Sequence, residues 1–217
     1  MFKNRTMAGK MLAAKLQTLK LTGKPIVLAI PRGGVVVGYE IAKALKAPLD
    51  LLIPRKLPAP LNPEVAVGAV AQDGTTYFNE KLLTYLHLSP ESLQEEIDKE
   101  KREITRRMEK FRGSKEFPDL KGKSVIVVDD GIATGFTMLA GIRFIAKQQP
   151  EEIIVAVPVA PEDEVQRLGR EVTQIITLAI PKDFYAVGQF YEDFTQTGDE
   201  EVTALLAKAR AEETVYV

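Results

Sequence analysis

The sequence predicts an α/β fold, a mostly parallel central sheet with helices on both faces. Three observations predict it. Strand-length apolar runs alternate with helix-period stretches along the chain, the order of a sheet with helical crossovers. The run Val125-Ile126-Val127-Val128 is unbroken and β-branched, as in a strand buried on both faces. Two glycine-bearing polar segments each follow such a run and precede a helix pattern, where open α/β sheets place their ligands.

The elements follow in order. Residues 6–20 carry Met7, Met11, Leu12, Leu16 and Leu19 at helical spacing, and 26–30 is a short buried strand. It ends at Pro31-Arg32-Gly33-Gly34, and a helix runs on to Leu45. Residues 49–53 make a second strand. Pro54, Pro58, Pro60 and Pro63 then mark an expected mobile loop. Stretches 65–70 and 75–78 bracket Asp73-Gly74, a hairpin signal. Ser89-Pro90-Glu91 opens a helix to about Arg112, with a narrow apolar stripe of Leu93, Ile97, Ile104, Met108 and Phe111. Strand 125–128, helix 137–147, strand 153–159, helix 162–170 and strand 175–180 complete the alternation. The tail holds the aromatics Phe184, Tyr185, Phe190, Tyr191 and Phe194.

Composition narrows the function. A length of 217 residues suits one α/β domain, and 45% hydrophobic residues suffice for a core. With 29 basic against 30 acidic residues, the net charge of −1 gives no electrostatic reason to expect nucleic-acid or membrane partners. The absence of cysteine removes disulfides, thiolate nucleophiles and zinc–thiolate sites. Lys10, Lys15 and Lys20 interrupt the N-terminal stretch, so no signal peptide is read there, and no run reaches membrane-helix length. A cytoplasmic protein is expected. His87 stands alone and cannot build a histidine cluster.

The chemistry concentrates in Asp129-Asp130-Gly131-Ile132-Ala133-Thr134-Gly135-Phe136-Thr137. Two carboxylates stand at a strand end. Gly131 and Gly135 let backbone approach a ligand, Thr134 and Thr137 add hydroxyls, and amides opening the next helix form a phosphate cradle. Carboxylates beside a phosphate cradle fit a ligand carrying hydroxyls as well as phosphate, such as a phosphorylated ribose. A P-loop would need Gly-Lys-Ser/Thr, which is absent.

The string from Val125 to Thr137 resembles the 5-phosphoribosyl-1-pyrophosphate (PRPP) motif of the type I phosphoribosyltransferases (PRTases): four apolar residues, an acidic pair, two mostly apolar residues, a small residue and Thr-Gly-x-Thr. Gly131 departs from it, since the family usually has an aliphatic residue there. Pro31-Arg32-Gly33-Gly34 resembles the family's pyrophosphate loop, which often holds a cis peptide, expected here before Arg32 or Gly33. Arg55-Lys56-Leu57 matches the place of a basic residue that reaches pyrophosphate, ahead of a loop that closes over the reaction. Glu64 in that segment is a candidate general acid or base, weighed against a structural role. Residues 181–188 are similar to the base-binding segment of purine enzymes, with Phe184 or Tyr185 stacking on the base and Val187 flanking it. Glu192 or Asp193 falls near an acidic metal contact.

The resemblance implies a three-layer PRTase-like fold, with a core of about 24–180 and a hood from the N-terminal helix and about 181–200, in a single domain 1–217. It implies Mg²⁺-dependent transfer of phosphoribose from PRPP to a nitrogenous base, with release of pyrophosphate. The catalytic residues would be Asp129, Asp130 and Lys56. Arg32, Gly33, Gly34, Arg55 and Lys56 would hold pyrophosphate. Ala133 stands where 6-oxopurine enzymes carry an Asp, which argues against a standard hypoxanthine–guanine enzyme. The alternative is a regulator of the same fold that senses PRPP or nucleotides. Family members are commonly dimers, and helix 90–112 is a candidate homodimer interface.

Overall fold

The structure, a computed structural model, describes residues 1–60, 62–113 and 117–213. Asn4 caps the first helix α1 (Arg5–Leu16), its side chain accepting from the Met7 amide. Strand β1 (Lys24–Ala29) leads into α2 (Gly33–Leu45), followed by β2 (Leu49–Leu51). Next come β3 (Arg55–Ala59), β4 (Asn62–Val70), β5 (Thr76–Phe78), α3 (Glu80–Tyr85) and the long α4 (Gln94–Arg112). Then β6 (Lys123–Val128), α5 (Phe136–Ala146), β7 (Glu152–Val159), α6 (Glu162–Leu168) and β8 (Gln174–Ala179) alternate. The last described element is α7 (Asp199–Glu213).

Five strands form a parallel sheet in the order β2-β1-β6-β7-β8. Because side chains alternate across a strand, this sheet feeds two cores. Val27, Ala29, Ile126, Val128, Ile154 and Ala156 pack towards α1 and α2. Ile26, Leu28, Val125, Val127, Val155 and Val157 pack with Met138, Ile142 and Ile145 of α5. Both faces are dry, which explains why β6 has no polar alternation: residues 125 to 128 are all fully buried. Each such side chain contributes about 1.5–3 kcal/mol of burial.

The proline-rich stretch is a correction to the sequence reading. It is not an irregular loop but an antiparallel sheet, β3-β4-β5. Pro58 is tolerated because the β3–β4 register shifts on either side of it, the place where a strand spares the missing N–H. The Asp73-Gly74 turn joins β4 to β5 as the sequence implied, with Gly74 at φ 82°. The side chain of Glu64 lies outside the described residues. Helix α7 was absent from the sequence reading, though its signals are present. Asp199, Glu200 and Glu201 fill the first turn, and Val202, Leu205, Leu206 and Ala209 follow at helical spacing.

A small hood covers one end of the sheet. Backbone bonds zip residues 2–3 to residues 190–193: Phe2 N–H to Phe190 O at 2.7 Å, Glu192 N–H to Phe2 O at 2.8 Å and Asp193 N–H to Lys3 O at 3.0 Å. Phe2 and Tyr191 are buried together with Val159, and Phe184, Val187 and Phe190 pack against them. Among the described residues, no helix is long and apolar enough to cross a membrane.

Candidate functional site

The strand order reverses its sense of winding between β1 and β6. From β1 the chain crosses to β2 on one side, and from β6 it crosses to β7 on the other. Loops leaving the carboxyl ends of two such neighbours diverge and leave a crevice. The two loops singled out from the sequence, 30–34 and 129–137, are the ones that border it.

They touch closely. A Cβ on Gly34 would lie 2.9 Å from Asp129 Cα and 3.0 Å from Val128 O, and one on Gly33 would run into the Asp130 carboxylate. Only glycine lets the start of α2 sit this near the acidic pair. The peptide bond between Pro31 and Arg32 is cis, where the resemblance placed one.

Within the second loop, Asp129 Oδ1 accepts the Asp130 amide at 2.8 Å. Burial, followed by the charge of Asp130, pushes the Asp129 carboxyl well above the ordinary carboxylate range. Asp130 is held from two directions. Arg5 Nε donates to its Oδ2 at 2.7 Å, and the Tyr191 hydroxyl donates to its carbonyl at 2.6 Å. Burial and the Asp130 charge push the Tyr191 hydroxyl upward, so it stays a donor. Gly135 adopts φ 64° at the N-cap of α5, a left-handed geometry that suits glycine. Arg167 of α6 donates to Thr134 O at 2.7 Å and lies over the Phe136 ring, fixing the outer side of the loop. Burial raises the Glu164 carboxyl, whose partner is Arg167.

A cavity of about 260 Å³ opens on this loop, lined by Lys56, Asp129, residues 131–135, Thr137, Met138 and Val187. Lys56, Asp129, Thr134, Thr137 and Val187 meet here, whereas Asp130 lies beside the cavity lining. Gly131, the departure from the motif, has a physical partner. A Cβ there would stand 2.5 Å and 2.9 Å from the two Val187 methyls and 3.1 Å from Val159 Cγ1. The hood valine occupies the space that an aliphatic residue would need.

Other expected residues have different partners. Arg55 pairs with Glu100 at 2.7 Å, not with the cavity. Glu100 lies on the buried stripe of α4 between Ile97 and Ile104, and a buried carboxylate requires a cation. Arg32 reaches Asp199 Oδ1 at 3.4 Å, and Lys110 shares that carboxylate at 2.6 Å. Phe184 stacks on Phe190 with centroids 5.4 Å apart, so that ring is already engaged. Tyr185 is 88% exposed and does not line the cavity.

Glu192 and Asp193 are exposed and line no part of the cavity. Asp193 accepts from the Thr195 hydroxyl at 2.6 Å and amide at 3.0 Å, bonds that hold its carboxyl low, and it borders a separate groove with Asn4, Arg5 and Thr6. Among the described residues no group of three His, Cys, Asp or Glu side chains is placed to hold a metal. A magnesium ion that draws most of its oxygens from a phosphorylated ligand and one from Asp129 is compatible with these residues.

Arg5, Tyr191 and Arg167 were missed by the sequence reading. Tyr191 had only its place in an aromatic cluster, and Arg5 and Arg167 carried no signal beyond a charge in a helix.

Comparison with known proteins agrees with this geometry. The sequence profile described as "Phosphoribosyl transferase domain" matches residues 3–195. Rv0571c and MT0597 of Mycobacterium tuberculosis, both named as phosphoribosyl transferases, are each 41% identical over 210 residues, covering 96% of this chain and 47% of theirs. The chain therefore spans about half the length of these curated relatives. The crystal structure of TT1426 from Thermus thermophilus superimposes with a TM-score of 0.79 at 38% identity, covering 95% of this chain and 98% of that one. By profile, identity and fold, this chain belongs to the phosphoribosyl transferase family.

Proposed function

We propose that the protein transfers phosphoribose from PRPP to a nitrogenous base and releases pyrophosphate. The observation that carries this reading is the meeting of Asp129, Lys56 and the 131–137 loop around one cavity at the sheet's switch point. Amides opening α5 hold the 5-phosphate, helped by the Thr134 and Thr137 hydroxyls. Asp129 and Asp130 accept from the ribose hydroxyls. Amides of Gly33 and Gly34 and the Lys56 ammonium face the pyrophosphate, with Arg32 shaping its loop.

Displacement at the anomeric carbon builds positive charge on the sugar ring, and the two nearby carboxylates offset it. Magnesium, held by Asp129 with the ligand's own oxygens, would supply further positive charge to the leaving pyrophosphate. Movement of the β3–β4 hairpin would exclude water. Tyr185 provides the open aromatic face for the base, flanked by Val187. Ala133 supplies no group to move a proton on the base, so a 6-oxopurine is not the favoured acceptor.

The test is ³¹P NMR of the protein with PRPP, Mg²⁺ and a pool of purine and pyrimidine bases. Pyrophosphate appearing with a nucleotide monophosphate is the expected result, and the nucleotide names the base. PRPP signals that neither shift nor broaden would refute the reading. Signals that broaden without conversion would point to the ligand-sensing regulator instead. Replacing both Asp129 and Asp130 with Asn is expected to abolish turnover while leaving the fold intact. Unchanged turnover in that variant would refute the site.

A further inference from the structure

We propose that Arg5 is the positioning residue of Asp130: it commits one carboxylate oxygen so that the other is presented to a ribose hydroxyl. This makes the N-terminal helix part of the sugar site. The inference rests on the reading of the 129–137 loop given above.

Four observations support it. The Arg5–Asp130 pair is close, at 2.7 Å, and its side chains are only 11% and 16% exposed. Such a pair is far less screened than a surface ion pair. Arg5 is itself fixed. Its NH1 donates to Thr195 O at 2.8 Å, and its guanidinium lies 3.9 Å above the Phe194 ring. Backbone bonds between residues 2–3 and 190–193 anchor the segment that carries it. Finally, Gly33 leaves room for the pair, since a Cβ there would meet both the Asp130 carboxylate and, at 2.6 Å, Arg5 Nε.

A guanidinium clamped in this way does not swing out to a phosphate. It acts as a brace. Adjacent carboxylates repel, and without a cation Asp130 would turn away from Asp129. With Oδ2 bound to Arg5 the Asp130 side chain keeps one rotamer beside the Asp129 carboxyl, and the acceptor it offers the sugar is fixed with it.

The experiment is calorimetric titration of the full chain with two probes, ribose 5-phosphate and inorganic pyrophosphate. Arg5→Gln is expected to weaken ribose 5-phosphate by about tenfold or more, the scale of one charge-assisted hydrogen bond. Pyrophosphate affinity is expected to stay within about twofold, because Arg5 gives its hydrogen bonds to Asp130 and to Thr195 O. Arg5→Lys should recover part of the loss, since it restores charge without the planar fork. Equal or tighter ribose 5-phosphate binding by Arg5→Gln would overturn the proposal, as would an equal loss for both probes. If Arg5→Gln fails to fold, Phe194→Leu decides. It removes the ring beneath the guanidinium and is expected to weaken ribose 5-phosphate selectively, and no such selectivity overturns the brace. Wild-type protein that binds neither probe overturns the site itself. Wild-type protein that binds ribose 5-phosphate, beside an unaffected Arg5→Gln, overturns Arg5 alone.

Discussion

Gly131→Ala is the sharpest probe of how the hood meets the 129–137 loop. Gly131 is not in the left-handed region, so the substitution adds no backbone strain and its cost is steric. The new Cβ stands 2.5 Å from Val187 Cγ1, about 1 Å inside a normal carbon–carbon contact. It also stands 3.1 Å from Val159 Cγ1. Val159 is fully buried in β7 and cannot yield, so Val187, half-buried in the hood, must move. Overpacking of this kind costs about 1–3 kcal/mol. Val187→Ala alone removes two partly buried methyls and costs about 1 kcal/mol. In the double variant the alanine methyl fills the space that Val187 vacates. Its cost should therefore fall about 1–2 kcal/mol below the sum of the single variants. Urea unfolding of the four proteins measures this, provided the slopes match. Additivity within about 0.5 kcal/mol would refute the idea that Gly131 is small because Val187 is there.

Two further predictions concern charges outside the cavity. Glu103 is held down at about 2 by bidentate donation from Arg106, joined by Arg107. A depressed carboxyl stabilises the folded state above its ordinary value of 4.5, and that stabilisation is lost as pH falls from 4.5 towards 2. The pair is partly exposed, so the effect is expected to stay below about 1 kcal/mol. Glu103→Gln should flatten the stability profile in that window, and an unchanged acid limb in a pH series of melts would count against it. The Arg55–Glu100 pair predicts an asymmetry. Arg55→Met strands a carboxylate that is 7% exposed, whereas Glu100→Met strands a guanidinium that is 29% exposed and can reach water. The arginine variant should lose about 2–3 kcal/mol and the glutamate variant less, and the reverse order in urea melts would sink the argument.

The candidate site was legible where its signals are contiguous. The strand, acidic pair, glycine turn and helix start of residues 123–137 follow one another, and each is set by local chemistry: β-branched burial, a left-handed glycine, free amides. The parallel sheet was legible for the same reason, since runs buried on both faces have no polar alternation. The proline-rich segment was not. Proline argues against a strand until its place in the pairing is known, and the register shifts that accommodate Pro58 depend on residues of β4. Arg55 shows the same limit. Its neighbour Lys56 does line the cavity, but Glu100 lies 45 residues further on and claims Arg55.

Of the residues that escaped notice, Arg5 acts across the longest stretch of sequence. Arg5 and Asp130 are separated by 125 positions, and they meet where α1 packs on α2 and residues 2–3 pair with residues 190–193. Sequence spacing cannot reveal such a contact, because neither partner carries a local pattern that requires the other. An unpartnered acidic pair does pose a question that physics can ask in advance. Two partly buried carboxylates on adjacent residues call for a cation, and the 129–137 loop supplies none of its own. Arg5 answers that need from outside the motif. The same reasoning predicts that a chain lacking residues 1–5 would keep its parallel sheet, lose ribose 5-phosphate affinity at least as far as Arg5→Gln does, and retain pyrophosphate affinity. Equal loss of both probes in the truncated chain would mean that the N-terminal segment supports the whole crevice and not Asp130 in particular.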